Sequence, residues 1–430
     1  MSFRNWIEKL RADGKLVEPK KPLSRNLDAA AFIKAVEPNP VLLQVDGCEI
    51  PIASNVSASR GLIADYLSIQ PSEIVRKLLH AIEHPTKPRV IEKAPCFEAT
   101  ESKVNLDELP LLLHAEQDGG KYISAGVVIA NHPDFGQNVS FHRLMQVGTD
   151  ELAIRIVPRH LHTFLEKTQG ELPVAICVGN SPNVLLAGAC SVELGQNELE
   201  IANTLEPLDV AKCCEADCYV PAETEYVLVG RITNDRHEEG PFIDLTETYD
   251  LIRSQRIVKV DRVYHRERPL YHALVPGGLE HKMLMGIPRE PTIYREVSKV
   301  CQCVDVLITP GGASWLHAVV KIRKKSEADG KRAVEAAFRG HTSLKHVVIV
   351  DEDIDINDPG EVEWAFATRF QGDRGLVVRR GETGSSLDPS ADPETRKTTK
   401  VGFDATKPLE VKGKNFERAK FPKVDWKKFT

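Results

Sequence analysis

The stretch "CYVPAETEYVLVGRITNDRHEEGPFIDLTETYD", residues 218–250, decides the fold of this 430-residue chain. Its first half is rich in β-branched and aromatic residues, which is typical of a strand in a sheet. Its second half places Glu238, Glu239 and Asp244 around an uncharged turn at residues 240–243. The sequence therefore predicts a strand that ends in a tight turn, whose carboxylates face either solvent or a site inside the protein.

Segments of the same strand-like kind recur on both sides of this stretch, which predicts a β-rich middle folded as a barrel or an antiparallel sheet. Residues 1–110 mix helices with short strands, and from about residue 300 onward strands and helices alternate. We therefore predict a mixed α/β protein with an N-terminal α/β portion over 1–110, a β-rich domain over 111–290, and a C-terminal α/β domain over 300–430. The last of these ends in an irregular tail from Thr383.

Composition argues against several classes of protein. Lys and Arg number 56 against 62 Asp and Glu, so the net charge is −6 and no basic field is available for nucleic acid. No window approaches the roughly 18 apolar residues of a membrane span, and no signal peptide is evident. We expect a cytoplasmic protein without membrane contact. Its nine cysteines are expected to be reduced, buried thiols rather than zinc ligands.

Polar residues within the strand-like segments could build a site. In "NVSFHR", Asn138, Ser140 and His142 alternate along the chain and share one face of a strand, whereas Arg143 takes the other face unless a turn intervenes. Arg143 could bind a substrate carboxylate while Glu239 and Asp244 donate or accept protons.

Two further segments offer metal ligands. His160 and His162 in "RHLHTF" have the spacing of a strand, and Glu223 and Glu225 alternate with apolar neighbours. Each of these residues alone is more often structural than functional. Together with Asn138 they supply oxygen and imidazole ligands that suit Mg²⁺ or Mn²⁺.

Several segments, in their shared order, resemble the UbiD family of decarboxylases. The resemblance runs nearly end to end and is carried by "FRNWIEKLRADGKLVE", "SASRGLIADYL", "NVSFHR", "RHLHTF", "VPAETEYVLVG", "EEGPFIDLTETY", "KHVVIVDEDIDI", "EVEWAFATR" and "KVGFDAT". It implies an N-terminal α/β portion, a split β-barrel domain that binds prenylated FMN, a linking helix near 290–300, and a C-terminal α/β domain that forms oligomers.

The resemblance also implies roles for individual residues. The family's metal ligands correspond to Asn138, His160 and Glu225, which would hold Mn²⁺ or another divalent ion, with K⁺ as a further cation, at the phosphate of the cofactor. Its catalytic set corresponds to Arg143, Glu239 and Asp244, although many members have Glu in the last position. The other cofactor-binding positions correspond to Ser140, Phe141, His142, Arg143 and Arg159 around the flavin and Lys345 at its phosphate.

The implied reaction is the removal of CO₂ from an unsaturated or aromatic acid, for which a cofactor must accept the electrons of the broken bond. The compact chain and Asp244 are similar to archaeal members that convert trans-anhydromevalonate 5-phosphate to isopentenyl phosphate, which is our first expectation. An aromatic or heteroaromatic acid is the second, and a non-catalytic flavin- or metal-binding protein is the third. The loop "PGGLEHKMLMG" would line the substrate pocket and offer His281 and Lys282 to a distal anion. The implied partners are a prenyl-flavin synthase that supplies the cofactor and further copies of the chain in a homodimer or homohexamer.

Overall fold

The computed structural model describes residues 1–168, 170–410, 413, 416–419, 421–422 and 424–428. The N-terminal part packs helices against a short sheet. Helix α1 begins where the Ser2 hydroxyl accepts a hydrogen bond from the backbone N–H of Asn5, and its apolar face is buried. The elements of this part are α1 (Phe3–Ala12), α2 (Asp28–Ala35), β1 (Val41–Val45), β2 (Cys48–Ser54), α3 (Arg60–Leu67) and α4 (Ile74–Glu83).

The middle of the chain forms a nine-stranded sheet with helices packed against it. Its path is β5-β8-β9-β16-β13-β10-β6-β7, and β4 pairs with β16 outside this path. The elements are β3 (Arg89–Val90), β4 (Ala99–Glu101), β5 (Tyr122–Ile123), β6 (Val127–His132), β7 (Gly136–Phe141), β8 (Leu144–Gln146), β9 (Glu151–Ile154), α5 (His160–Lys167), β10 (Leu172–Val178), α6 (Pro182–Gly188), α7 (Glu198–Leu205), β11 (Asp209–Cys213), β12 (Cys218–Pro221), β13 (Tyr226–Glu239), β14 (Phe242–Ile243), β15 (Tyr249–Asp250), β16 (Arg253–His265) and β17 (Tyr271–His272).

Strand β13 lies near the centre of this sheet. It pairs antiparallel with β10 on one side and with β16 on the other. Its first seven residues are almost all buried because the sheet is covered on both faces there. The strand then becomes exposed over residues 234–238 and ends on Glu239, which is fully buried.

The C-terminal part is a five-stranded mixed sheet of order β18-β19-β20-β22-β21 with helices beside it. Two helices, α8 (Leu279–Gly286) and α9 (Glu290–Ser298), separated by the 3₁₀ turn Ile287–Arg289, lead into it from the nine-stranded sheet. Its elements are β18 (Gln302–Ile308), β19 (His317–Arg323), α10 (Asp329–Gly340), β20 (His346–Asp351), α11 (Pro359–Arg369), α12 (Gly372–Gly375), β21 (Leu376–Thr383) and β22 (Lys397–Asp404).

The mixed α/β architecture is confirmed, but three local expectations are wrong. His160 and His162 begin a helix rather than lying on a strand. The predicted loop at 276–286 is largely helix α8, because Leu279 to Gly286 contains no residue that breaks a helix before its final glycine. The tail from Thr383 contains strand β22, which fills the sheet between β20 and β21, and some of its last residues lie outside the described ones.

All nine cysteines are free thiols, and five of them are buried: Cys96, Cys177, Cys213, Cys218 and Cys303. Within the described residues, no helix has the length and apolar character that crossing a membrane would require.

Candidate active site

A cavity of about 680 Å³ lies where the nine-stranded sheet meets α8 and the C-terminal part. Its volume falls in the upper half of the roughly 300–1,000 Å³ typical of small-molecule sites, which leaves room for a cofactor together with a small substrate. Residues that line it include Asn138, Ser140, Phe141, His142, Arg143, Arg159, His160, Glu198, Phe242, Asp244, Asp250, His281, Met285, Arg289 and Trp315.

Arg143 lies in the turn between β7 and β8, so it faces the cavity together with His142 instead of the opposite side of the sheet. Its Nε and Nη2 atoms donate to the two carboxylate oxygens of Glu239 at 2.8 and 3.1 Å. Its Nη1 atom donates to Asp244 at the longer distance of 3.3 Å, and its guanidinium carbon lies 4.6 Å from the ring centroid of Phe242. The structure therefore brings together the three residues expected to be catalytic.

A third carboxylate at Arg143 was not expected from the sequence. Asp250 accepts from Nη2 at 2.9 Å and also pairs with Arg253. Burial alone would raise the pKa of Asp250, but the hydrogen bond from Arg253 and the charge of Arg143 outweigh burial and hold that pKa below its usual range. Asp250 is therefore an ionised anchor for Arg143.

The contacts of Arg143 with the described residues do not provide every one of its N–H groups with a hydrogen-bond acceptor. A guanidinium has five N–H groups. The contacts to Glu239 and Asp250 use the Nε–H and both Nη2–H groups, and only the long contact to Asp244 uses Nη1. One edge of Arg143 is thus available to the carboxylate of a ligand in the cavity.

Glycines hold the turn that carries Glu239 and Asp244. Gly240 has a φ of +101°, a conformation that L side chains rarely adopt. The backbone N–H of Gly119 donates to the carbonyl of Pro241 at 2.9 Å, and a Cβ on Gly119 would lie 2.2 Å from the Gly240 carbonyl oxygen. The Tyr122 hydroxyl donates to Glu239 at 3.2 Å, so the buried carboxylate is fixed from two sides.

Asn138 and Ser140 lie on one face of β7, and His142, directly after the strand, continues their row, as the alternation of the sequence predicts. The Ser140 hydroxyl donates to the side-chain amide oxygen Oδ1 of Asn138 at 3.1 Å and lies 3.0 Å from Nε2 of His142. Nδ1 of His142 lies 2.8 Å from the backbone carbonyl of Arg155. Burial lowers the pKa of His142 to about 4, so the ring is neutral and donates through Nδ1.

Glu198, which no sequence motif singles out, contacts this row. Its carboxylate accepts from the Asn138 side-chain amide at 3.0 Å and from the backbone N–H of Val139 at 2.8 Å. Burial raises the pKa of Glu198 to about 8. The buried carboxylate, the amide oxygen beside it and the imidazole of His160, which lines the same cavity, together form a ligand set that suits a divalent cation. Only its position at the start of a helix, in "GQNELE", marks Glu198 in the sequence, and that signal is not specific.

Glu225, expected as a metal ligand, is used elsewhere and is not among the residues that line the cavity. Its fully buried carboxylate accepts from Nε and Nη2 of Arg4 at 3.2 and 2.7 Å and from the backbone N–H of Leu270 at 3.0 Å. The structure thus does not bring Glu225 to Asn138 and His160. Within the described residues, no group of three or more His, Cys, Asp or Glu could hold a metal, so a metal here requires the Asn138 oxygen.

Two lysines that were expected to bind anions of the cofactor or substrate form ion pairs with acidic residues instead. Lys345 pairs with Asp388 at 3.0 Å, and Lys282 pairs with Glu247 at 3.0 Å. Neither is among the residues that line the cavity. His281 does line it, and its Nδ1 accepts the backbone N–H of Gly277 at 3.1 Å, so any proton on this ring is held at Nε2.

Family models match the chain in three consecutive blocks. Residues 7–82 match the N-terminal domain of 3-octaprenyl-4-hydroxybenzoate carboxy-lyase, residues 89–279 match its Rift-related domain, and residues 282–405 match its C-terminal domain. An anhydromevalonate phosphate decarboxylase from Methanothermobacter thermautotrophicus is 42% identical over 425 residues, which cover 97% of this chain and 99% of that protein.

Solved structures agree with these matches. The UbiD-class enzyme HmfF from Pelotomaculum thermopropionicum in complex with FMN superposes with a TM-score of 0.95 at 38% identity, covering 99% of this chain and 98% of that one. An evolved dimeric form of HmfF in complex with prFMN gives a TM-score of 0.91 at 37% identity, covering 99% and 98% of the two chains.

Proposed function

Because the chain belongs to the UbiD family of decarboxylases, we propose that it removes CO₂ from trans-anhydromevalonate 5-phosphate and releases isopentenyl phosphate. The observation that carries the proposal is the arrangement around Arg143. A guanidinium that is oriented by Glu239 and Asp250, and that keeps one edge towards the cavity, is built to bind a carboxylate. The choice of substrate is supported by the 42% identity to an anhydromevalonate phosphate decarboxylase over almost the full length of both chains.

The residues of the cavity fit a prenylated FMN. Phe141, Phe242 and Leu274 provide an apolar wall, and Asn138, His160 and Glu198 provide ligands for Mn²⁺ or another divalent ion that would neutralise the cofactor phosphate, with K⁺ as a second cation. Glu198 replaces Glu225 in this set. When bound, prenylated FMN supplies the electron sink that no amino-acid side chain provides.

The chain's own residues position the substrate and move one proton. Arg143 binds the carboxylate, and Glu239, held by Tyr122, keeps Arg143 oriented. The bond between the carboxylate carbon and the adjacent carbon breaks, CO₂ leaves, and the electron pair stays on the substrate side. Asp244 then gives a proton to the carbon that lost CO₂. Its long contact to Arg143 leaves this carboxyl group the most weakly bound of the three around the guanidinium.

Asp244→Asn tests this assignment. The amide keeps the size of the side chain but has no acidic proton to give, so we expect flavin content to stay within twofold of wild type while turnover and proton exchange at the product carbon fall at least a hundredfold. Unchanged exchange in this variant would remove Asp244 from the mechanism.

The proposal includes two kinds of partner. A prenyl-flavin synthase supplies the cofactor, and copies of the chain assemble into a homodimer or homohexamer; the evolved dimeric form of a solved relative supports self-association. Sedimentation velocity of the purified protein distinguishes these two assemblies.

The function is tested by producing the chain together with a prenyl-flavin synthase and measuring CO₂ release from a panel of acids. We expect flavin absorbance on the purified protein and turnover of trans-anhydromevalonate 5-phosphate. A protein that remains colourless would contradict the enzymatic proposal, and turnover of an aromatic or heteroaromatic acid alone would reassign the substrate.

A further inference from the structure

Arg289 is a buried cation that lines the cavity. Only 6% of the surface of Arg289 is exposed, and its Nε has no hydrogen-bond partner. Its guanidinium carbon lies 5.2 Å from the ring centroid of Trp315. Over the described part of the chain, no carboxylate forms an ion pair with it, in contrast to the three around Arg143. A buried charge of this kind is costly unless an anion joins it.

A second arginine of the same cavity adds to the positive charge. Arg159 donates to the Ser191 hydroxyl at 3.1 Å and forms no ion pair with any described residue. Burial, together with the charge of Arg159, lowers the pKa of Arg289 to about 9, which is above neutral pH, so Arg289 keeps its charge. Two guanidinium groups without acidic partners among the described residues favour a multiply charged anion such as phosphate over a second carboxylate.

Helix α8 sets the distance of this charge from Arg143. His281, Met285 and Arg289 follow one another at intervals of four residues along α8 and the 3₁₀ turn after it, and all three line the cavity. Burial lowers the pKa of His281, and the charges of Asp244 and Arg143 also act on it, which places His281 at the Arg143 end. Eight residues at 1.5 Å each put the backbone of Arg289 about 12 Å further along.

We propose that Arg289 binds the phosphate group of the substrate while Arg143 binds its carboxylate. This inference rests on the proposed function, because it names the group that selects the substrate of that site. Six bonds of about 1.5 Å join the carboxylate carbon to the phosphorus of trans-anhydromevalonate 5-phosphate, so the extended molecule spans about 7–8 Å. That length is shorter than the backbone distance of about 12 Å from His281, at the Arg143 end, to Arg289, so the side chains of Arg143 and Arg289 can meet the two ends of the molecule within the cavity they both line.

The phosphate group of the cofactor is the other anion that Arg289 could bind. Asn138, His160 and Glu198, with their metal ion, already account for it in the proposed function. Arg289 is therefore assigned to the substrate, and cofactor affinity and substrate affinity must respond differently to its removal.

The experiment compares wild type, Arg289→Gln and Arg289→Lys in the holoenzyme. We expect Arg289→Gln to raise KM for trans-anhydromevalonate 5-phosphate ten- to a hundredfold, with Arg289→Lys recovering part of the loss, because a charge-assisted hydrogen bond is removed and then partly restored. Turnover of the dephosphorylated acid should change less than twofold. The matched control is Arg323→Gln, which removes an exposed arginine paired with Glu352 and should leave every constant unchanged.

Two readouts do not depend on turnover. By calorimetry, isopentenyl phosphate should bind to FMN-loaded Arg289→Gln at least tenfold more weakly than to wild type, while the Kd of FMN itself stays within twofold. The midpoint of thermal unfolding should stay equal or rise, because an unpaired buried charge is removed.

The outcomes separate the two proposals. A tenfold loss of FMN affinity would assign Arg289 to the cofactor phosphate, and unchanged KM and isopentenyl phosphate affinity would overturn the inference alone. If wild type fails to decarboxylate the substrate but still binds isopentenyl phosphate through Arg289, the proposed function fails and the phosphate subsite stands. Absence of isopentenyl phosphate binding by wild type would overturn the subsite.

Discussion

Glu198 and Glu225 are the same residue type and are both buried, yet their different surroundings give them different chemistry. Glu225 alternates with apolar residues beside a long strand, and the sequence contains no sign that Arg4, more than 200 residues away, neutralises it. Glu198 sits at a helix start, where an acidic residue is ordinary. Local patterns could place Asn138, Arg143 and Glu239 in one region, but the pairing of carboxylates with distant arginines depends on tertiary structure.

Substituting each of these two glutamates separates their roles. Glu198→Gln should lower Mn²⁺ bound to FMN-loaded protein at least tenfold, because it removes the carboxylate that lines the cavity beside Asn138. Glu225→Gln is the matched control, which should retain Mn²⁺ but lower the unfolding temperature, since Arg4 loses its charged partner. Metal analysis and calorimetric titration measure the difference, and the reverse pattern would restore Glu225 as the ligand.

At the scale of elements, the sequence predicted strands better than it predicted what joins them. The β-branched run of β13 signals a strand by composition alone, and the exposed charged residues that follow mark where the sheet is no longer covered. By contrast, α8 was missed because two glycines precede it and their turn signal masked the helix that begins at Leu279. The short strand β14 and its partner β15, which present Asp244 and Asp250, depend on contacts that no local pattern encodes.

The contact between Gly119 and the turn after β13 has a measurable consequence. Gly119→Ala would push a methyl group against the Gly240 carbonyl, so we expect a loss of about 1–3 kcal/mol in the free energy of unfolding and at least a tenfold lower kcat. Denaturant titration and steady-state kinetics measure both effects.

Gly61→Ala on α3 is the control, since its new Cβ meets nothing closer than 3.7 Å. This change should leave kcat unaltered and stabilise the helix by about 0.5–1 kcal/mol. Equal effects of the two substitutions would mean that close approach at Gly119 is unimportant to the site.

Across the whole molecule, one buried ion pair connects the N-terminal and C-terminal parts. Arg60 on α3 donates to both carboxylate oxygens of Glu290 at 2.8 and 2.7 Å, and Glu290 also accepts the backbone N–H of Ile308 on β18 at 3.0 Å. Both partners are far apart in sequence, so neither the pair nor the docking it stabilises could be predicted from periodicity.

Arg60→Met should destabilise the protein by about 3–5 kcal/mol, because it leaves the Glu290 carboxylate buried without its cation. Adding Glu290→Gln removes that charge and keeps an acceptor for Ile308, so the double variant should recover part of the loss. Unfolding free energies of the two variants provide the measurement. If the double variant were no more stable than Arg60→Met, the cost would arise from lost packing of the arginine rather than from the unpaired charge.

Trp315 also gives the molecule a built-in optical reporter. Of the tryptophans whose side chains the structure describes, it alone lines the cavity, whereas Trp6 is buried against Tyr66 and Trp364 stacks with Arg369. A flavin absorbs light in the range where tryptophan emits, so occupancy of the cavity should quench Trp315 by energy transfer. Cofactor loading can thus be followed by intrinsic fluorescence without a label, and loss of this quenching in Trp315→Phe would identify the emitting residue.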